Sequence, residues 1–104
     1  MNQQLRSRSM IYELEFKDSA LKEWQKLDAT LRIQLKKKLA EILEMPHIPK
    51  AKLSGGSNVY KIKLKKSGYR LVYQVFDNVV TVTVIAIGKR ERNDVHKIAL
   101  QRLQ

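Results

Sequence analysis

The chain has 104 residues and no cysteine, so a single modest core must form without disulfide bridges or thiolate metal sites. Its 43% hydrophobic and 30% charged content suits a soluble globular domain, and its longest apolar run, Val79 to Ile87, is about half the length a membrane helix needs. Net charge is +11, divided as +4 over residues 1–60 and +7 over the shorter span 61–104, an excess that favours a polyanionic partner and by itself says nothing about catalysis.

Residues 1–9 (MNQQLRSRS) are polar and aperiodic, without the apolar segment of a secretory signal. They are expected to form a disordered extension before a single domain over 10–104, with Met10 an alternative start. From Met10 to Phe16 polar and apolar residues alternate, the mark of a half-buried strand. Asp18 or Ser19 is placed to cap a first helix over Ala20 to Leu27, with Leu21, Trp24 and Leu27 on one side. Asp28 or Thr30 caps a second helix running to about Glu44, whose apolar stripe is Leu31, Leu35, Leu39, Ile42 and Leu43. Lys36, Lys37 and Lys38 fall mostly outside that stripe and read as a solvated face.

Pro46 stops the second helix, and a loop with two prolines and two glycines follows. Three strands are then predicted over Val59 to Leu64, Tyr69 to Phe76 and Val79 to Ile87. Ser67-Gly68 and Asp77-Asn78 are turn residues, and Gly88 is expected to stop the last strand. A short C-terminal helix begins near Asn93, with Val95, Ile98, Ala99 and Leu103 inward. The order βααβββα gives an α+β fold, a helical hairpin packed on one face of a small, mainly antiparallel sheet. That packing leaves the other face free.

The stretch from Tyr60 to Arg70 reads YKIKLKKSGYR. A strand alternates faces, so Ile62 and Leu64 point one way and Lys61, Lys63 and Lys65 the other. If Tyr69, Leu71 and Tyr73 face the helices, Arg70 joins the lysines. Lys89, Arg90 and Arg92 add charge at the end of the sheet, and His96 lies four residues beyond Arg92. A cleft gathering Lys61, Lys63, Arg70, Arg90 and His96 around one point follows. Alternating lysines also serve simply to solvate a face or to block edge pairing, and periodicity does not separate the two uses.

His47, between two prolines, reads as a surface residue; Trp24, Tyr60, Tyr69 and Tyr73 read as packing residues. Carboxylates are sparse in the basic half, so no metal site and no cofactor are expected, and a nuclease here should work without metal. Metal-free RNA cleavage needs a base for the 2′-hydroxyl, cations for the phosphorane and a proton for the 5′-oxygen. Arginine suits the second task, and histidine or a perturbed lysine the proton transfers.

The segments ALKEWQKL, QLKKKL, VYKIKLKKSGYRLVYQV and IGKRERNDV resemble the RelE family of bacterial toxins, over essentially Met10 to Leu103. The resemblance implies a fold similar to small microbial ribonucleases and a type II toxin that cleaves messenger RNA in the ribosomal A site. The implied partners are a RelB-like antitoxin, the ribosome through 16S rRNA and A-site mRNA, and operator DNA only through the antitoxin complex, in the cytoplasm and with no membrane. By position it gives Lys61 and Lys63 the binding of RNA and activation of the 2′-hydroxyl, Arg70 the phosphorane, and Arg90 the phosphate and leaving group. Lys52, Lys65, Lys66, Lys89 and Arg92 are expected to hold RNA around them. Two positions depart from the family pattern: His96 stands where a catalytic tyrosine is usual, and Leu53-Ser54-Gly55 replaces leucine-arginine-glycine. Other readings are a ParE-like toxin of the same fold directed at DNA gyrase and a non-catalytic ribosome- or RNA-binding module.

Overall fold

A computed structural model describes residues 11–89 and 95–103. The expected extension over 1–9, the start at Met10, and Arg90 and Arg92 therefore lie outside the described residues. Strand β1 covers Glu13–Phe16 and is shorter than the alternation suggests, because the Tyr12 N–H turns to the carbonyl of Leu43 at 2.8 Å. Helix α1 (Asp18–Gln25) starts two residues before the expected Ala20, and Lys17 holds the N-cap position without a side-chain cap. Asp18 thus acts from the first turn, where a carboxylate favours the helix dipole, and not as a cap. Helix α2 (Ala29–Glu44) does begin behind Asp28, whose carboxylate accepts the Leu31 N–H at 2.9 Å. Leu35, Leu39 and Ile42 of its stripe are buried.

A short 3₁₀ turn, Pro49–Ala51, interrupts the following loop. Strands β2 (Val59–Lys63), β3 (Tyr69–Phe76) and β4 (Thr81–Lys89) complete a sheet of order β1-β4-β3-β2. Only the β1–β4 pairing is parallel. The expected α+β order therefore stands, with a mixed sheet. Strand β2 stops at Lys63, and Lys65 belongs to the turn, where Gly68 takes the positive φ of +77°.

Strand β4 departs most from expectation. The expected two-residue turn at Asp77-Asn78 is a 3₁₀ turn, Asp77–Val79, and the left-handed residue is Val80, at φ +48°. A β-branched residue there costs about 1–3 kcal/mol. The Val80 carbonyl accepts the Glu13 N–H at 2.8 Å, a bond that holds the strained residue against β1. Gly88 does not end the strand; it pairs with Arg70. Val72 pairs with Ala86 but Tyr73 with Val84, so Ile85 is an extra residue in a β-bulge.

The bulge flips the side-chain parity of β4. Val82, Val84 and Ile87 pack with the α1–α2 side, whereas Ile85 and Ala86 both belong to a second core on the other face. Helix α3 (Val95–Arg102) covers that second core, burying Val95 and Ala99 against Val59, Val72, Ile85 and Ala86. The expectation of a wholly free second face is thereby corrected. Val95 alone contributes about 1.5–3 kcal/mol by this burial.

Side chains from both faces also meet at the edge of the sheet. The ladder between β1 and β4 ends at Phe16 and Val84, leaving the outer edge of β4 beyond it. There Glu23 of α1 accepts the Ile87 N–H at 3.0 Å, and Arg102 of α3 donates to the Ile85 carbonyl at 2.8 Å. The two side chains close a bidentate ion pair, both contacts at 3.0 Å. They occupy ladder positions that a longer β1 would fill. Among the described residues no helix is long and apolar enough to cross a membrane.

Candidate active site

Strand pairing brings Lys61, Lys63 and Arg70 to one face. Ile62, Leu64 and Leu71 turn toward the α1–α2 core, which sends the residues between them to the side covered by α3. Lys63 stands directly opposite Arg70, and Lys61 opposite the buried Val72. Opposed residues on adjacent strands have Cβ atoms about 4.5–5.5 Å apart, and like charges there destabilise the sheet. Neither ion pair seen among the described residues, His47–Asp77 or Glu23–Arg102, offsets this rung of two cations. Lys63 is exposed, while Lys61 and Arg70 are half-buried.

Helix α3 walls the rung. Gly88 faces Arg70 across the ladder, and a Cβ on Gly88 would lie 3.0 Å from Cγ2 of Val95. The absence of a side chain there lets the first turn of α3 approach the strand closely. His96 follows Val95, and its Nε2 lies 3.3 Å from the Ser54 carbonyl. A carbonyl only accepts, so Nε2 carries the hydrogen and Nδ1 of the neutral ring keeps its lone pair. Ser54 belongs to the segment that returns to β2 through a bond from the Leu53 N–H to the Val59 carbonyl, at 2.8 Å. Strand pairing thus sets Lys61, Lys63 and Arg70 on one face of the sheet, and α3, packed on that same face, holds His96 beside the Ser54 loop.

The remaining expected residues lie around the hairpin instead. Lys52 forms an antiparallel bridge with Tyr60 along the outer edge of β2. Lys65 and Lys66 sit in the β2–β3 turn. Lys89 is on the opposite face from Arg70, with its Nζ 5.7 Å from the centroid of the Tyr69 ring. The bulge explains this, since one extra residue at Ile85 reverses the direction of every later side chain.

A second polar cluster was not foreseen. His47 is exposed, yet its Nδ1 is 2.8 Å from the Tyr60 hydroxyl and its Nε2 2.8 Å from Oδ1 of Asp77. Tyr12 donates to the same oxygen at 2.7 Å. Tyr60 stacks on Tyr73, centroids 5.4 Å apart, and Tyr73 donates to the Pro46 carbonyl at 2.9 Å. The hydrogen bonds from His47 and Tyr12 hold the Asp77 carboxyl below its ordinary range. Tyr12 is raised mainly by its bond to Asp77, whereas Tyr60 and Tyr73 are raised mainly by burial. Raised phenols are poor nucleophiles, so the cluster reads as a brace between the post-α2 loop and the sheet. Among the described residues no group of three His, Asp or Glu side chains is placed to hold a metal ion.

Comparison with known proteins places the arrangement in a class. The family model described as ParE toxin of type II toxin-antitoxin system, parDE, matches residues 14–94, so the chain is a toxin-fold protein of the type II systems. The mRNA interferase toxin RelE of Escherichia coli is 57% identical over 94 residues, covering 90% of this chain and 99% of that protein. A double arginine-to-alanine mutant of E. coli RelE in the free state aligns with a TM-score of 0.83 at 55% identity, over 91% of this chain and all of that one (100%). A chain of the intact E. coli RelBE toxin–antitoxin complex aligns at 0.75 and 60% identity, over 78% and 99%. The chain belongs to the RelE family of toxins.

Proposed function

We propose that this chain is the toxin of a type II toxin–antitoxin pair, an endoribonuclease that cuts messenger RNA in the ribosomal A site and is neutralised by a RelB-like antitoxin in the cytoplasm. The observation that carries this reading is the Lys63–Arg70 rung with Lys61 on the same face, a cationic arrangement that costs stability unless an anion fills it. The names of the close relatives, an mRNA interferase and a toxin–antitoxin complex, support the same reading.

The chemistry follows from the side chains. Nδ1 of His96 accepts the 2′-hydroxyl proton, with Nε2 held on Ser54. Lys61 and Lys63 seat the phosphate and stabilise the forming 2′-oxyanion. The new bond runs from O2′ to phosphorus, and the bond from phosphorus to O5′ breaks. Arg70 carries the charge of the phosphorane between them through its planar donor fork. The leaving 5′-oxygen, on the opposite side of the phosphorus, takes a proton from water with Arg90 assisting, and the imidazolium returns its proton to water. The products are a 2′,3′-cyclic phosphate and a 5′-hydroxyl.

The ParE description of the matching family supports a second reading, a gyrase-directed toxin. A gyrase inhibitor has no use for the opposed cations, and the RelE relatives weigh against it. Primer extension on ribosome-engaged message after induction separates the two. Codon-phased cuts that vanish in Arg70→Ala support the ribonuclease; growth arrest without such cuts would contradict it.

A further inference from the structure

A concavity of about 900 Å³ lies between α2 and the β2–β3 hairpin and shares only Lys63 with the candidate active site. One wall is a single face of α2: Thr30, Gln34, Lys37, Lys38 and Glu41 follow helical spacing along it, while Lys36 points elsewhere. The other wall is the hairpin turn with Lys65 and Lys66, and Lys89, near the Tyr69 ring, also lines the groove. Six ammonium groups line the groove, Lys37, Lys38, Lys63, Lys65, Lys66 and Lys89, against two carboxylates. Of those two, Asp28 is already engaged as the cap of α2. The ion pairs Glu23–Arg102 and His47–Asp77 both lie away from it.

The groove is continuous with the candidate active site. Lys63 belongs to both: it opposes Arg70 in the cleft and lines the groove across the β2 edge. Its floor offers Leu31, Leu64 and the half-buried ring of Tyr69. A cationic channel with apolar and aromatic floor groups is the arrangement that tracks a single-stranded nucleic acid without reading its sequence. We propose that this groove binds the phosphate backbone of the RNA strand flanking the cut site, which leaves the cleft at Lys63 and continues around the edge of β2 along Lys37 and Lys38. The proposal rests on the ribonuclease reading and extends it to a second, non-catalytic surface. Continuity through Lys63 favours RNA over an acidic segment of a protein partner.

The test is equilibrium binding of the purified toxin to non-cleavable 2′-O-methyl RNA of about 4 and about 16 nucleotides, the span single-strand grooves cover, over a range of salt. The double variant Lys37→Ala/Lys38→Ala should weaken binding of the long RNA about tenfold at low salt. It should also lower the slope of log affinity against log salt by about 1.4, or ~0.7 per lost phosphate contact. Lys36→Ala, on the same turn but outside the groove, should leave both quantities unchanged, and the short RNA should not distinguish the variants. All three lysines are exposed, so folding is not at stake. Unchanged long-RNA binding in the double variant would overturn the proposal. An equal loss in Lys36→Ala would also overturn it, in favour of a diffuse field. Loss of antitoxin affinity with RNA binding intact would assign the groove to a protein instead. Failure of the cleavage reading is distinguishable, because it shows as cutting by Arg70→Ala while the salt slopes still separate Lys36 from its two neighbours.

Discussion

Replacing Arg102 by alanine should destabilise the protein far more than a surface charge does. The guanidinium makes two contacts with Glu23 and one with the Ile85 carbonyl, all at 3.0 Å or less. Side-chain exposures of 24% and 29% put the pair between two regimes. Exposed pairs contribute about 0–1 kcal/mol and breaking a buried one costs about 3–5, so the expected loss is about 2–3 kcal/mol. At about 4–8 °C per kcal/mol for a domain this small, Tm should fall by roughly 10–20 °C. Glu23→Gln keeps an acceptor for the Ile87 N–H and should cost less. Urea titrations of both single variants and the double variant give the coupling energy, expected at about 1–2 kcal/mol. Helix α3 has only eight residues and is not stable alone, so losing this clamp should also loosen the element that carries His96. A cost under about 0.5 kcal/mol with no measurable coupling would mean that Val95 and Ala99 alone hold α3, and would refute the reasoning.

Tyr73→Phe removes a fully buried hydroxyl from the Pro46 carbonyl and should cost about 1–3 kcal/mol by urea denaturation, with the fold intact in the circular dichroism spectrum. The carboxyl of Asp77 is held below its unfolded value, so its contribution is fully present above about pH 4 and is lost as pH falls through the depressed folded value. Stability curves of wild type and Asp77→Asn should therefore run parallel at neutral pH and converge in acid; curves that stay parallel throughout would deny the His47–Asp77–Tyr12 contacts. His96→Tyr should alter the pH dependence of cleavage, and superimposable profiles would remove His96 from proton transfer.

The parts of the fold that were legible in the sequence are those set by local periodicity. The stripe of α2, the span of β3 and the shared face of Lys61, Lys63 and Arg70 all follow from residues within a few positions of one another. What the sequence hid depends on partners far along the chain. VVTVTVIAI alternates well enough for a strand, but nothing in it marks Ile85 as the bulged residue, and that one insertion sends Lys89 to the helical face. Gly88 reads as a strand stop because its other use, admitting Val95, appears only when α3 is docked. Lys37 and Lys38 look like their neighbour Lys36 until the hairpin is placed opposite them. Glu23 and Arg102 are 79 positions apart, and Tyr12 and Asp77 65 apart, with no spacing rule to join them.

Single-turnover cleavage on programmed ribosomes, comparing wild type with Arg70→Ala and Lys63→Ala, bears most directly on the opposed cations. If the guanidinium carries phosphorane charge, Arg70→Ala should slow cutting by about 10²–10³-fold, or ~3–4 kcal/mol, while its urea midpoint is unchanged or slightly raised by relief of repulsion with Lys63. Wild-type cutting by the folded variant, at the same positions and with the same cyclic-phosphate ends, would contradict that assignment outright.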